Sequence, residues 1–454
     1  MTIYKRKSLQ HPLSNSATST ISVDHFQLEP YIGPRPFQRD IDDEIRFFGR
    51  DYESKQIVAR ILGNQIVLIY GASGVGKTSI MNAQVISALE ESGSTVLPTI
   101  RISRVYSAFQ QDKLKDFSNI HNLYIFSALQ CLKPYIDPKT LTEKSFNDFL
   151  NDYFEPSDRE DGEFPFVIIF DQFEELFLFN NDSSCRNQQE DFFRQMTEAL
   201  DKYSNLSIVF IIREEYLAQL DPFTKILTQR KSRFRLEGLD KDRAVAAIKG
   251  PLTKTINNMN EQEKRDIEKE INELVDDLLK INIVSSNGSL QQLEGEFIEP
   301  VYLQVACSRW WNNRNRISAE YQPENKKDKG NDISKYVTKV FEDLYEQVIL
   351  KATKETRTSE KEIRDWCQQK LITSNGTRSI IHRDRDTTGG LSNHVIKILE
   401  DMFFIRRQWR AGSLWYELTH DRIIKAVLDS NRRWKNKRSK IREFRRYFSE
   451  NLNK

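Results

Sequence analysis

The stretch "NQIVLIYGASGVGKTSIMNAQVISALEES", Asn64 to Ser92, decides the fold class of this chain. An apolar run, a glycine loop and a helical pattern follow one another, and "GASGVGKT" fills the spacing of a phosphate-binding loop in that context. The glycines let backbone N–H groups wrap a phosphate, Lys77 reaches the β- and γ-phosphates, and Thr78 places a hydroxyl on Mg²⁺. The stretch predicts binding of ATP or ADP with Mg²⁺ through Gly71, Ser73, Gly74, Val75, Gly76, Lys77, Thr78 and Ser79.

A second apolar run ends in acids, in "FPFVIIFDQFEELF", Phe164 to Phe177. The run is short enough for a buried strand, and Asp171 stands at the end of that strand. In nucleotide-binding folds of this type a neighbouring strand ends in an acid that holds Mg²⁺, usually through water. Asp171 is therefore predicted to be the second metal-binding residue, with Thr78.

Two glutamates after Asp171 are candidates for the residue that polarises the attacking water. The sequence leaves the choice between Glu174 and Glu175 open, and both also suit the start of a helix, where acids favour the helix dipole. Gln172 stands directly after Asp171, where many fast ATPases carry a glutamate. We therefore expect slow hydrolysis.

A cation is predicted at the end of another strand, in "NLSIVFIIREEYLAQL". Arg213 ends the apolar run and is expected next to the γ-phosphate, where a cation can report whether that phosphate is present. The alternative is a surface salt bridge. The predicted catalytic set is Asp171, Glu174, Glu175 and Arg213.

The order of predicted elements divides the chain into five parts. Residues 1–30 are expected to be disordered. Strands alternate with helices over 31–240, which predicts an α/β phosphate-loop domain with a parallel sheet and helices on both faces. The part 241–330 is predicted to be nearly all helical and to end in a charged linker, "NNRNRISAEYQPENKKDKGND". Over 331–431, helices precede the hairpin "RRQWRAGSLWYELTH", with Ala411–Gly412 at its turn, which predicts a winged helix.

The fifth part, 432–454, is a basic tail. Its segment "RRWKNKRSKIREFRR", Arg432 to Arg446, holds nine basic residues and one acid, and apolar side chains recur on one helical face. The segment suits a solvated helix, contact with nucleic-acid phosphates, or docking to a partner protein.

Composition excludes several classes of protein. The 454 residues carry a net charge of +2, and the four cysteines form no CxxC pair, so a disulfide framework or a thiolate zinc site is not expected. The N-terminus lacks the apolar core of a signal peptide, and no apolar run approaches the ~20 residues of a membrane-spanning helix. We expect a cytoplasmic protein without a membrane partner.

Several motifs together resemble the STAND class of P-loop NTPases, which includes the NACHT and NB-ARC switch proteins. "GPRPFQRDIDDEIRFFGRDYE" and "DQFEELF" are similar to the motifs of a bacterial branch of that class, with Asp51 in place of a glutamate. By this resemblance Gly49 and Arg50 lie near the nucleotide base. "FIEPVYLQ" places Pro300 against adenine, although Ile298 replaces a usual glycine, and "ELTHDRI" places His420 near the β-phosphate of ADP. Without the resemblance, Pro300 suits a helix start and His420 a cap or core position.

The resemblance implies a switch that ADP holds closed and that ATP opens for self-association, in signalling or antiviral defence. Only the switch is recognisable, so we expect sensor and effector proteins in trans or on missing segments. One alternative is a DNA-binding AAA+-like ATPase, an initiator or transposition regulator that grips duplex with the winged helix and the tail. Another is a scaffold that binds nucleotide without hydrolysis.

Overall fold

The computed structural model describes residues 29–33, 35–102, 120–153, 165–177, 183–223, 231–284, 290–320, 333–374, 376, 378–410, 413–419 and 422–451. Its N-terminal part is built on a parallel sheet, as the alternation of strands and helices predicts. The strands are β1 Ile66–Gly71, β2 Thr95–Val96, β3 Phe166–Phe170, β4 Leu206–Arg213 and β5 Lys231–Arg235.

The strand order of this sheet is β2–β3–β4–β1–β5. Every adjacent pair is parallel, so all carboxyl ends meet at one edge. The strand that ends before Asp171 was expected beside the loop strand β1, and this was wrong, because β4 lies between β1 and β3. The order therefore places Arg213, at the end of β4, between the loop and Asp171.

Helices cover both faces of the sheet. Val67 and Ile69 of β1 belong to one buried cluster with Ile57 and Ile80, while Leu68 belongs to the cluster of the opposite face. This alternation follows from the two-residue period of a strand. The helices are α1 Ile41–Glu44, α2 Asp51–Gly63, α3 Lys77–Ile80, α4 Ile86–Glu91, α5 Leu123–Leu132, α6 Phe146–Tyr153, α7 Ser183–Lys202 and α8 Leu217–Leu220.

A helical region follows the sheet. It contains α9 Lys241–Lys249, α10 Thr253–Asn257, α11 Glu261–Leu279 and α12 Pro300–Glu320. An antiparallel hairpin, β6 Lys280–Val284 and β7 Leu290–Glu294, interrupts the region that was predicted to be nearly all helix. The linker prediction was also wrong in part, because α12 continues through its first nine residues, 312–320; residues 321–332 lie outside the described residues.

The C-terminal region combines helices with small antiparallel sheets. Its helices are α13 Ile333–Thr356, α14 Glu360–Lys370, α15 Asn393–Asp401 and α16 Arg422–Asn451. Its strands are β8 Ile381–His382, β9 Thr387–Thr388, β10 Leu391–Ser392, β11 Ile405–Arg410 and β12 Ser413–Leu418. The hairpin β11–β12 forms at the predicted position, and β8 extends it. Its turn, Ala411–Gly412, lies outside the described residues, as do residues 1–28.

One hydrophobic cluster runs through the helical and C-terminal regions, from Leu239 to Val427. The rings of Tyr302 and Phe341, which connect α12 to α13 within it, are 5.3 Å apart. Because this core is shared, α12 and the end of α15 are held together beside the sheet edge. In the part of the chain that the structure describes, no helix is both long and apolar enough to cross a membrane.

Candidate functional site

A cavity of about 220 Å³ lies where the phosphate-binding loop meets the first residues of α12. Its polar lining includes the loop residues Ser73–Ser79 with Asp171, Glu174 and Arg213. Its lining also includes apolar side chains, namely Phe47, Phe48, Leu239, Ala247 and Leu303. The cavity therefore offers donors and cations for phosphates and an apolar surface for a flat ring.

The loop has a conformation that depends on glycine. Gly74 and Gly76 have φ angles of +86° and +92°, which side chains other than glycine rarely adopt. Pro300, the first residue of α12, lies beside this loop, because a Cβ added at Gly76 would be 3.9 Å from its Cγ. Pro300 therefore begins α12 and also lines the cavity, while its predicted contact with adenine stays a prediction.

Lys77 is held over the loop. Its Nζ donates to the carbonyl oxygens of Gly71 at 2.7 Å and Ala72 at 2.9 Å. Burial lowers the pKa of Lys77 to about 8, although the nearby Glu174 carboxylate opposes this change. A phosphate at this position would favour the charged ammonium.

Asp171 receives hydrogen bonds from both sides of the cavity. The Thr78 hydroxyl donates to its carboxylate at 3.0 Å, and the Arg101 guanidinium donates to Oδ2 at 2.7 Å. The predicted metal pair is thus in direct contact, and a carboxylate with a hydroxyl is a set of hard oxygen donors that suits Mg²⁺. Such a pair leaves most of the coordination positions of Mg²⁺ to phosphate oxygens and water.

The two candidate glutamates differ in position. Glu174 is buried and lines the cavity, and its Oε1 lies 3.0 Å from Nε of Arg213. Glu175 is half-buried and is not among the residues that line the cavity. Gln172 has a φ angle of +56°, so the chain turns sharply between Asp171 and Glu174. After this turn Glu174, rather than Glu175, lines the cavity.

Arg213 connects the cavity to the C-terminal region. Besides its ion pair with Glu174, its Nη2 lies 4.0 Å from Oε1 of Glu400, near the end of α15. Its Nη1 is buried and has no hydrogen-bond partner among the described residues. Burial tends to raise the pKa of Glu400, but Arg407 and then Arg213 bring that pKa below its ordinary value. The alternative, a surface salt bridge, does not fit, because the side chains of Arg213, Glu174 and Glu400 are largely buried.

A small second cavity lies beside the loop, and residues of the C-terminal region line it together with Ser73 and Gly74. Thr419 is one of these residues, and its hydroxyl donates to the carbonyl oxygen of Phe403 at 2.7 Å. His420 lies outside the described residues, and its predicted contact with ADP stays a prediction.

Gly49 and Arg50 pack next to the phosphate-binding loop and α9. A Cβ added at Gly49 would lie 2.4 Å from the carbonyl oxygen of Arg243, so α9 approaches too closely for a side chain. The buried Arg50 donates to the carbonyl oxygens of Val75 at 3.1 Å and Glu237 at 2.7 Å. These two hydrogen bonds connect the loop to the residues that precede α9. Arg50 also lines the cavity.

The segment before α1 covers the loop helix. The backbone N–H of Phe37 donates to Oγ of Ser79 at 3.3 Å, and Nδ2 of Asn82 donates to the Phe37 carbonyl at 3.0 Å. Ser79, which was predicted to bind nucleotide, is therefore engaged by this segment. Arg35 in the same segment lines the cavity and donates to the buried Asp43.

Sequence reasoning missed several residues of the site, among them Arg101, Glu400 and Phe403. Arg101 follows an irregular stretch after β2, Glu400 belongs to an ordinary amphipathic helix, and Phe403 lies just after that helix. Phe403 lines both cavities with a φ angle of +56°, at a position where helices usually end in glycine or asparagine. In the sequence, the only signal for Arg101 was a single arginine after "STVLPTI". Its contact with Asp171 depends on the pairing of segments that are distant in the chain.

Comparison with known proteins gives one family and several distant folds. The family described as Novel STAND NTPase 1 matches residues 30–452. Among solved structures, the Aeropyrum pernix ORC2 protein in its ADPNP–ADP complexes is similar at 14% identity and a TM-score of 0.41, covering 84% of this chain and 93% of that chain.

Domain III of the Thermotoga maritima replication initiation protein DnaA is similar at 12% identity and a TM-score of 0.35, covering 65% of this chain and 92% of that chain. No curated protein gives a significant match.

Proposed function

This chain belongs to the Novel STAND NTPase 1 family, and from that membership and the geometry of the cavity we propose that it is a slow, ATP/ADP-dependent molecular switch. The family match and the phosphate-binding loop identify the chain as an α/β P-loop NTPase that binds nucleotide. The finer proposal is that ADP holds the nucleotide-binding, helical and winged-helix parts closed. ATP then opens them and permits self-association.

The position of Arg213 carries this proposal. It stands at the end of β4 and lines the cavity, paired with Glu174 on one side and near Glu400 on the other. An incoming γ-phosphate is an anion that competes with both carboxylates for the same guanidinium. Occupation of the site by ATP would therefore weaken the contact between the sheet and the C-terminal region.

Different residues of the cavity are proposed to bind the phosphates, to hold Mg²⁺ and to act on the attacking water. The loop amides and Lys77 hold the phosphates, and Thr78 with Asp171 would hold Mg²⁺, which neutralises phosphate charge when it is bound. Glu174 orients and polarises the attacking water once Arg213 no longer pairs with it. The resting pair of Glu174 and Arg213 and the glutamine at 172 both favour slow turnover.

The closed state uses the C-terminal region. The helices α14 and α15 with the hairpin β11–β12 are proposed to act as the winged helix. Thr419 supports the proposed latch, because it lies in the small cavity with Ser73 and Gly74 and immediately precedes His420 in the chain. In this proposal His420 donates to the β-phosphate of ADP.

The biological role follows the family resemblance. We propose a signalling or antiviral-defence switch whose sensor and effector are other proteins or further segments. Contact with nucleic acid through Arg432–Arg446 belongs to the alternative DNA-dependent ATPase. Duplex DNA should leave the ATPase rate of a switch unchanged and should stimulate a DNA-dependent ATPase in a salt-sensitive manner.

Small-angle scattering tests the switch. The radius of gyration of the wild type should be larger with a non-hydrolysable ATP analogue than with ADP. Arg213→Gln, which keeps a polar side chain but removes the charge, should reduce the difference between the two nucleotides. An equal radius in both nucleotides for the wild type would contradict the proposal.

A further inference from the structure

The carboxylate of Asp171 is already bound to a cation of this chain. Arg101 approaches its Oδ2 with two nitrogen atoms, Nη2 at 2.7 Å and Nε at 3.2 Å. The Thr78 hydroxyl and the backbone N–H of Gln172 donate to Oδ1, each at 3.0 Å. Arg101 thus supplies the positive charge next to the oxygen pair that suits a metal ion.

The fold places Arg101 there through its backbone. Ile100 forms a parallel bridge with Phe170, and the N–H of Asp171 donates to the Ile100 carbonyl at 2.9 Å. On the other side, the Ser127 hydroxyl of α5 donates to the carbonyl of Ile102 at 2.5 Å. Arg101 is therefore held between two anchored residues, next to the strand that leads to Asp171.

Arg101 and Asp171 differ in how exposed their side chains are. The Asp171 side chain is 3% exposed, whereas that of Arg101 is 32% exposed and lines the cavity. An exposed guanidinium can turn toward the cavity and remain solvated, while a buried carboxylate without a cation is unfavourable. If one partner leaves the pair, it is Arg101, and another cation must then compensate Asp171.

We propose that Arg101 is the resident counterion of Asp171 and competes with Mg²⁺ for that carboxylate. The inference rests on the proposed nucleotide site. Without metal, Arg101 neutralises Asp171 and allows nucleotide phosphates to enter the cavity. When Mg²⁺ enters with the nucleotide, Arg101 leaves the carboxylate and remains in the cavity.

This competition predicts effects of opposite sign when the charge at position 101 is removed. In Arg101→Gln, Asp171 faces the phosphates without a cation, so binding of metal-free ADP should weaken by about three- to tenfold. Mg²⁺ no longer has to displace a charge-assisted hydrogen bond, so its half-saturating concentration should fall by about tenfold.

The experiment measures the dissociation constant of a fluorescent ADP analogue for the full chain, with EDTA and across a Mg²⁺ titration. Arg35→Gln is the matched control, because Arg35 also lines the cavity but pairs with Asp43 instead of Asp171. The control should keep the wild-type ratio between the metal-free and Mg²⁺-saturated constants. Arg101→Lys, which keeps the charge, should stay closer to wild type than Arg101→Gln.

The outcomes are separable. A larger ratio between the metal-free and metal-saturated constants in Arg101→Gln, with the control unchanged, supports the competition. An unchanged ratio, or equal weakening with and without Mg²⁺, overturns it and makes Arg101 a structural residue or a simple phosphate ligand. Failure of the wild type to bind ADP would overturn the proposed nucleotide site itself. If Arg101→Gln does not fold, Arg101→Met and Arg101→Lys provide the same comparison.

Discussion

The two sides of the cavity hold their charged groups by different means. On the loop side, Lys77 bonds to the carbonyls of Gly71 and Ala72, which are six and five residues away in the chain. On the C-terminal side, Glu400 of α15 lies 4.0 Å from Arg213, which is distant in the chain, and α15 itself packs in a core that the helical and C-terminal regions share. In the proposed switch, the loop side is a local structure that binds nucleotide, and the C-terminal side is a tertiary contact that ATP breaks.

Because of that difference, substitutions on the two sides of the cavity should differ in the size of their effects. Changes on the loop side should reduce binding or hydrolysis by large factors, because they remove groups that are proposed to contact the phosphates or the attacking water. Changes on the C-terminal side should alter the closed–open equilibrium by small factors, because they remove one contact among many.

The largest effect is expected for hydrolysis. Glu174→Gln should lower the rate of ATP hydrolysis by about 10²- to 10⁴-fold, because its proposed role is to polarise the attacking water. Glu175→Gln is the matched control and should stay near the wild-type rate, because Glu175 does not line the cavity. Phosphate release under single-turnover conditions measures both; equal rates for the two variants would remove the assignment.

Nucleotide affinity should respond next. Lys77→Ala removes an ammonium from the phosphates and should weaken ADP binding by about ten- to a hundredfold, the size of a charge-assisted hydrogen bond. Calorimetry with ADP measures the change. Affinity equal to that of the wild type would contradict the role of the loop.

Nucleotide affinity should also depend on pH. Lys77 has a pKa of about 8 without ligand, and bound phosphates raise it. Well below pH 8 the ammonium is charged in both states, so Lys77 contributes no pH dependence to the affinity there. Above pH 8 binding must take up a proton, and affinity should fall by up to about tenfold per pH unit. A pH series of ADP titrations should show this bend for the wild type and lack it for Lys77→Ala.

The smallest effect is expected on the C-terminal side. Glu400→Gln removes the charge that faces Arg213 at 4.0 Å and also weakens the closer pair of Glu400 with Arg407. It should speed ADP release by up to about fivefold, which corresponds to the loss of one ion pair. Asp401→Asn is the control, since Asp401 is the last residue of α15 and pairs with the exposed Lys397. If both variants release ADP at the same rate, the contact between Glu400 and Arg213 has no role in closure.

The same difference decides what the sequence could predict. The loop, the strand before Asp171 and the position of Arg213 could be read from short patterns, because their geometry depends on neighbours in the chain. The strand order and the contacts of Arg101 and Glu400 depend on pairing between distant segments. The hairpin β6–β7 was missed, because its first strand follows directly on the long amphipathic pattern of α11.

The central claim is that nucleotide identity controls the contact between the two sides. The most direct measurement is the molar mass of the wild type by light scattering, in ADP and in a non-hydrolysable ATP analogue at equal protein concentration. The account predicts the mass of one chain in ADP and a multiple of that mass in the analogue. The same mass in both nucleotides, with both shown to be bound, would contradict it.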